Sequence, residues 1–313
     1  MNRAFMFPGQ GSQTVGMGQD LYNSVRFIRE LVDKASHFLE IDLPKYMFYG
    51  PKEKLDESVV AQAALFVMST SLSKYLIERN NIKPSFVIGH SLGEYSALVS
   101  AGILTWEDGL NIIKYRSKAM LKAGKKQPGA MAAIIGISVE NIENICKEVS
   151  LKYGDVIVAN YNCNLQSVIS GTSQAVEKVT EISRRNGAIA DKINVDGACH
   201  SDLMKEAQNE IIDVIKNTSF HDTMIPIISS ISGDSITDIE KYKALLLKQI
   251  TRPVYWEKVV NNCLKRGVDQ FIELGSGKIL NSLVRGIDRK ANVASISDNS
   301  ALEGFLGNVN IQQ

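Results

Sequence analysis

The chain has 313 residues, 44% of them hydrophobic and 22% charged, enough to bury one sizeable core, or a main domain with a smaller companion. Lys and Arg number 35 against 34 Asp and Glu, a net charge of +1. No overall field therefore speaks for a nucleic acid or an anionic membrane as partner.

Met1 to Gln10 hold one Arg, a short apolar stretch and then Pro8-Gly9. They lack the longer apolar core and small-residue cleavage site of a secretory leader. No run approaches the roughly 20 apolar residues that span a bilayer. The four cysteines, Cys146, Cys163, Cys199 and Cys263, fit no zinc spacing, so the expectation is free thiols in the cytoplasm and no metal site.

Helical patterning covers Ala61 to Arg79, and Phe86-Val87-Ile88 then reads as a strand. Gly89-His90-Ser91-Leu92-Gly93 follows, leading into a helical stretch from Glu94 to Ser100. Gly-x-Ser-x-Gly between strand and helix is the pattern of a nucleophile elbow. The turn is so tight that the residues two either side of the serine must lack bulk. Ser91 then projects at a helix N-terminus, and the Leu92 N–H is placed to stabilise an oxyanion.

Trp106 to Lys122 is helical, with Leu110, Ile113, Ala119 and Met120 among its apolar positions. Arg116 falls four after Ile112 and four before Met120, on or beside the buried stripe. An arginine there needs a partner. Two remain open on this pattern: the carboxylate of a dicarboxylic acyl group, held bidentately, or an Asp or Glu in a buried ion pair. Lys118, Lys122, Lys125 and Lys126 read either as a solvated face or as part of a patch for an acidic partner.

Gly124 to Gly129 reads as a polar loop. Beyond it come a strand (Ala130 to Ile135), a helix (Val139 to Tyr153), two strands (Val156 to Asn160, Ser167 to Ser170), a helix (Ala175 to Arg185) and a strand (Ala188 to Val195). That β-α-β-β-α-β order is the split ferredoxin-like pattern. It predicts a small domain, residues 125–198, inserted into a larger α/β domain formed by 1–124 and 199–313. Ile225 to Ile228, Phe271 to Leu274 and Val293 to Ile296 are further strands between helices at Asp202 to Lys216 and Tyr255 to Arg266, which predicts a mostly parallel central sheet with helices on both faces.

A serine nucleophile needs a base, and the chain has four histidines: His37, His90, His200 and His221. His90 is adjacent to Ser91 and aimed elsewhere by the turn. His37 lies on a helix with no other reactive pattern, and His221 leads into a strand. Elimination favours His200, on a loop returning from the inserted segment, because such junctions line clefts. Cys199 beside it is read as lining a pocket rather than as a thiol catalyst, since catalytic pairs meet in space and not in sequence.

With these residues in view, the chain resembles the malonyl-CoA:acyl carrier protein transacylases of type II fatty-acid synthesis, which are related to polyketide synthase acyltransferases. The resemblance runs nearly end to end. It rests on Phe7-Pro8-Gly9-Gln10-Gly11-Ser12-Gln13, Gly89 through Tyr95, Tyr115-Arg116, Asn160-Tyr161-Asn162, Gln166 through Gly171, His200-Ser201, Gln249 with Arg252-Pro253-Val254, and Glu273-Leu274-Gly275.

The resemblance implies an α/β-hydrolase-like large domain and the ferredoxin-like small one. It implies Ser91 as nucleophile and His200 as base, the histidine oriented by the main-chain carbonyl of Gln249. It further implies an oxyanion hole from the N–H groups of Gln10 and Leu92, Arg116 on the malonyl carboxylate, and Gln62, Asn160 and Asn162 in substrate binding. Malonyl-CoA and acyl carrier protein are the implied partners, with the coenzyme A thioester a substrate, no separate cofactor, and a monomeric enzyme. The sequence departs from the family at Ala61 and Ala63, at Cys163-Asn164, and at Cys199, a position that shapes the acyl pocket. A stand-alone transferase of a polyketide pathway and an acyl-thioester hydrolase on the same scaffold are the alternatives, and Arg116 speaks against the hydrolase.

Overall fold

The computed structural model describes residues 1–311. A five-stranded sheet forms the centre, built from β1 (Arg3–Phe7), β2 (Phe86–Gly89), β7 (Ile227–Ile228), β8 (Gln270–Leu274) and β9 (Val293–Ile296) in the order β7-β2-β1-β8-β9. All its pairings are parallel. The inner strands are almost wholly buried and mostly apolar, as a parallel sheet covered by helices on either side requires. The exception is Glu273 of β8, buried but accepting from the Leu280 and Asn281 N–H groups.

The helix Ser58–Lys74 lies inside the molecule, with nearly every residue buried. It is apolar all round, as a helix with no solvent face must be. Most of its polar groups are bonded, Ser69 Oγ donating to the Leu274 carbonyl at 2.8 Å and Thr70 Oγ1 to that of Phe66 at 2.7 Å, while the Ser71 hydroxyl is buried without a partner. With its extension to Arg79 it is the one helix among the described residues long and apolar enough to cross a bilayer, yet 83% of its apolar window is buried in the fold.

A second sheet has the order β4-β5-β3-β6 and is antiparallel throughout, from β3 (Gly129–Ile135), β4 (Val156–Cys163), β5 (Gln166–Thr172) and β6 (Ile189–Ile193). Helices Val139–Tyr153 and Ser173–Arg185 cover one face, burying Ile142, Val149, Val176 and Val179 with Val158 and Ile169 of the strands. Ser138 and Thr172 cap them, each hydroxyl accepting an N–H of the first turn. The element order is the β-α-β-β-α-β expected. We propose the segment as the inserted domain; the outer limit of its host, residue 313, lies outside the described residues. The second sheet is tied to the segment before the helix Trp256–Lys265, where Val254 N donates to Ala159 O and Tyr161 N to Val254 O, both at 2.8 Å.

Several element ends differ from the expectation by a few residues, and two have a clear physical cause. The first half of the loop expected at Gly124 to Gly129 is helix, because the helix Trp106–Lys126 runs on through Lys125 and Lys126, and cations are favourable in a last turn. Gly124 is tolerated there because the returning chain crosses it: a Cβ would stand 1.5 Å from the Asp196 carbonyl oxygen. The strand expected from Ile225 begins only at Ile227. Pro226 has no N–H to give the ladder, and only its carbonyl joins, accepting from Val87 N at 3.1 Å.

Candidate active site

β2 ends at Gly89 and the helix Gly93–Ser100 begins after only three intervening residues. The chain reverses there with Ser91 at φ +52°, a conformation costly for a residue with a Cβ. A Cβ on Gly89 would stand 2.1 Å from the carbonyl carbon of Gly93, and one on Gly93 would stand 1.9 Å from the Phe7 carbonyl oxygen. Both positions therefore need glycine.

Ser91 Oγ lies 2.7 Å from His200 Nε2. His200 is also left-handed, at φ +62°, with its N–H held by the Ile250 carbonyl at 2.8 Å. Its Nδ1 is 3.0 Å from the carbonyl oxygens of both Gln249 and Arg252. A carbonyl can only accept, so Nδ1 carries the proton and Nε2 turns its lone pair to the serine. Burial, and secondarily the positive charge of Arg116, pushes the imidazole down from 6.5 to about 4. His200 is thus neutral at pH 7 and able to accept a proton.

Arg116 is 2% exposed. Its Nη1 donates to Gln62 Oε1 at 2.6 Å and its Nη2 to Gln249 Oε1 at 3.4 Å, and the guanidinium lies over the Tyr95 ring at 5.4 Å. Its Nε is buried without a partner. Among the described residues it joins no ion pair. The buried salt bridge left open by the sequence is therefore absent, and a buried cation stands ready for an anion from outside.

Ser91, His200 and Arg116 line one cavity of about 70 Å³ together with Gln10, Leu92, Asn160 and Cys199, far smaller than the several hundred Å³ of a drug-sized site and of a size for a short acyl group. The main-chain N–H groups of Gln10 and Leu92 take part in no hydrogen bond among the described residues, which leaves both free for an oxyanion. The Oδ1 of Asn160 is buried and unpartnered. A larger hollow of about 920 Å³ runs along β4 beside Ser201 and Arg252, but it reaches none of Ser91, His200 and Arg116.

Two expected substrate contacts stand elsewhere. Gln62 is behind Arg116, and its Nε2 donates to Gln10 Oε1 at 3.2 Å. Asn162 is off the cavity wall, its Oδ1 2.9 Å from Nε2 of His90, whose ring packs edge-on to Trp256. Of the four surface lysines, Lys122 pairs with Glu210 and Lys126 with Glu206, while Lys118 and Lys125 join no ion pair among the described residues. Sequence reasoning missed the Arg252 carbonyl and the apolar wall formed by Met120, Met131, Val168, Ile193 and Val195. No pattern marks such residues, which look like ordinary core.

The chain is similar to known proteins along nearly its whole length. The acyl transferase domain family matches residues 4–297. The malonyl CoA-acyl carrier protein transacylase of Bacillus subtilis (strain 168) is 39% identical over 301 residues, 96% of this chain and 95% of that one. That of Staphylococcus aureus (strain MRSA252) is 35% identical, covering 97% and 98%. Among solved structures, the transacylase of Coxiella burnetii superposes with a TM-score of 0.93 at 32% identity, covering 98% of this chain and 97% of its own. A malonyl-transacylase solved with its type II PKS acyl-carrier protein gives 0.94 at 32%, covering 98% and 100%.

Proposed function

The chain belongs to the acyl transferase domain family, and we propose that it carries malonyl from malonyl-CoA to the phosphopantetheine thiol of acyl carrier protein through an ester on Ser91. The reaction is a two-step exchange. His200 Nε2 takes the Ser91 proton as Oγ attacks the thioester carbonyl. The oxyanion is held by the N–H groups of Gln10 and Leu92. The intermediate collapses, the carbon–sulfur bond breaks, and the proton passes to the departing coenzyme A thiolate. In the second half the carrier thiol gives its proton to His200 and attacks the ester, and that proton returns to Ser91 Oγ.

Arg116 holds the malonyl carboxylate throughout, with Gln62 bracing the guanidinium and Asn160 on the cavity wall. The observation that carries this reading is the lone buried cation beside the Ser91–His200 pair. A hydrolase of neutral acyl groups has no use for that cation. We place the enzyme in the cytoplasm, with support from its four unpaired cysteines.

The test is intact-protein mass after brief exposure to malonyl-CoA or acetyl-CoA, for wild type, Ser91→Ala and Arg116→Ala. A malonyl adduct on wild type, absent from Ser91→Ala and strongly reduced on Arg116→Ala, is the expected result. Rapid release of free malonate without a lasting adduct means a hydrolase, and an equal acetyl adduct means that Arg116 does not select the acyl group.

A further inference from the structure

We propose that Glu94 is a positioning residue for the transfer: it fixes which way round the side-chain amide of Gln249 stands, and through Gln249 it couples the acyl-carboxylate anchor to the base. This rests on the reading of Arg116 as that anchor.

Glu94 is the second residue of the helix after the elbow and is fully buried. A carboxylate in such a place ordinarily sits against a cation, but Glu94 joins no ion pair among the described residues. Its oxygens are met by four neutral donors instead. Oε1 accepts from Ser229 Oγ at 2.7 Å and from the Tyr242 hydroxyl, and Oε2 accepts from Ser230 Oγ at 2.5 Å and Gln249 Nε2 at 3.2 Å.

A carboxylate has no proton to offer, so every partner must donate. For Gln249 this dictates that the NH2 end faces Glu94. The same NH2 end lies 2.8 Å from the main-chain oxygen of Ser91, another obligatory acceptor. Both amide protons are then committed, and Oε1 is left facing Nη2 of Arg116 at 3.4 Å. Turned over, the amide would set its oxygen against a carboxylate and a carbonyl, and its NH2 against a guanidinium.

Gln249 thus lies between a buried anion and a buried cation with its dipole aligned to both, while its main-chain oxygen holds Nδ1 of His200. The spacing has a purpose. A direct Glu94–Arg116 pair would occupy the guanidinium and leave no place for an acyl carboxylate. An amide between them keeps the arginine oriented and its remaining N–H groups available.

The experiment is a double-mutant cycle with Glu94→Gln, Gln249→Met and the double variant, in the full-length chain. It reads the second-order rate of Ser91 acylation by malonyl-CoA and by acetyl-CoA, with thermal unfolding as a check on folding. Each single variant is expected to lose malonyl acylation by about tenfold or more, the order of one hydrogen bond to a charged group. Each is expected to lose acetyl acylation by a smaller factor, through the Ser91 main-chain oxygen that Gln249 Nε2 also holds, so that the malonyl-to-acetyl ratio falls. The double variant is expected to be no worse than Gln249→Met within about twofold, because Glu94 acts through that side chain. Multiplying losses would overturn the proposal, and so would equal losses with both thioesters. Should Glu94→Gln fail to fold, Gln249→Met alone decides: an unchanged malonyl-to-acetyl ratio there refutes it. A wild type that forms no malonyl adduct would instead sink the functional reading.

Discussion

Nδ1 of His200 lies 3.0 Å from the main-chain oxygen of Arg252, a second acceptor beside that of Gln249. Two neutral carbonyls hold the imidazole where a serine hydrolase would use a carboxylate. They fix the tautomer but contribute no negative charge to stabilise an imidazolium, so burial and Arg116 prevail and His200 sits at about 4.

The pH dependence follows from that. The neutral base is present above pH 4, so kcat/KM for Ser91 acylation by malonyl-CoA should be level from about pH 5 to about pH 8 and fall only toward pH 4. An acid limb centred near 6.5 would contradict the assignment. Stability carries the same signature. Between pH 6.5 and pH 4 the unfolded chain binds a proton at this position that the native chain refuses, so stability declines as pH falls through that window. His200→Gln should lose part of that decline in Tm, along with acylation by about 10² to 10⁴.

Arg116 separates function from stability. Arg116→Ala should lower malonyl acylation by about 10²-fold, since charge-assisted hydrogen bonds are worth about 1.5–3 kcal/mol each, and leave acetyl acylation nearly unchanged. Arg116→Lys keeps the charge without the planar fork and should not restore the rate. Arg116→Met should unfold at a Tm no lower than wild type, because a buried guanidinium facing only amides and a ring is poorly compensated. A large fall in the Tm of Arg116→Met would make the arginine structural.

The parts of this site that could be read from sequence are the ones whose constraint is local. The elbow announces itself because a reversal within three residues leaves no room for a Cβ at Gly89 or Gly93. Arg116 announces itself because helical periodicity puts it on an apolar stripe. The cluster around Glu94 is different in kind. Its donors at Ser229, Ser230, Tyr242 and Gln249 come from more than 130 residues away, and no spacing within the chain encodes that meeting. Asn162, expected at the substrate from the resemblance alone, is a third case. Alternation in a strand puts it on the same face as Asn160, but β4 shifts register between Tyr161 and Cys163. Such a bulge re-aims the side chain within it, and Asn162 meets His90 instead of the cavity.

The elbow glycines should tolerate no side chain. In Gly93→Ala the new methyl meets the Phe7 carbonyl oxygen at 1.9 Å, and that oxygen belongs to the central sheet and accepts from His90 N. Neither β1 nor the helix start can retreat without breaking a buried hydrogen bond. Overpacking of this kind costs about 1–3 kcal/mol or more, so thermal melts should show a Tm lower by several degrees, with acylation lost as Ser91 moves away from His200. A Gly93→Ala protein of unchanged Tm and activity would mean that the turn is looser than its geometry.

Cys199 lies on the acyl cavity next in sequence to His200, which invites a thiol mechanism. Two features oppose it. Burial pushes the thiol up to about 11, leaving almost no thiolate at neutral pH to act as nucleophile. Nε2 of His200, the one nitrogen free to take a proton, faces Ser91 Oγ at 2.7 Å. Cys199→Ala should therefore keep its malonyl adduct, with any change confined to which acyl groups the cavity admits, while Ser91→Ala loses the adduct altogether. Peptide mapping of the acylated protein checks this directly. A malonyl group found on Cys199 in the Ser91→Ala variant, and removed by hydroxylamine at neutral pH as thioesters are, would transfer the nucleophile to the thiol.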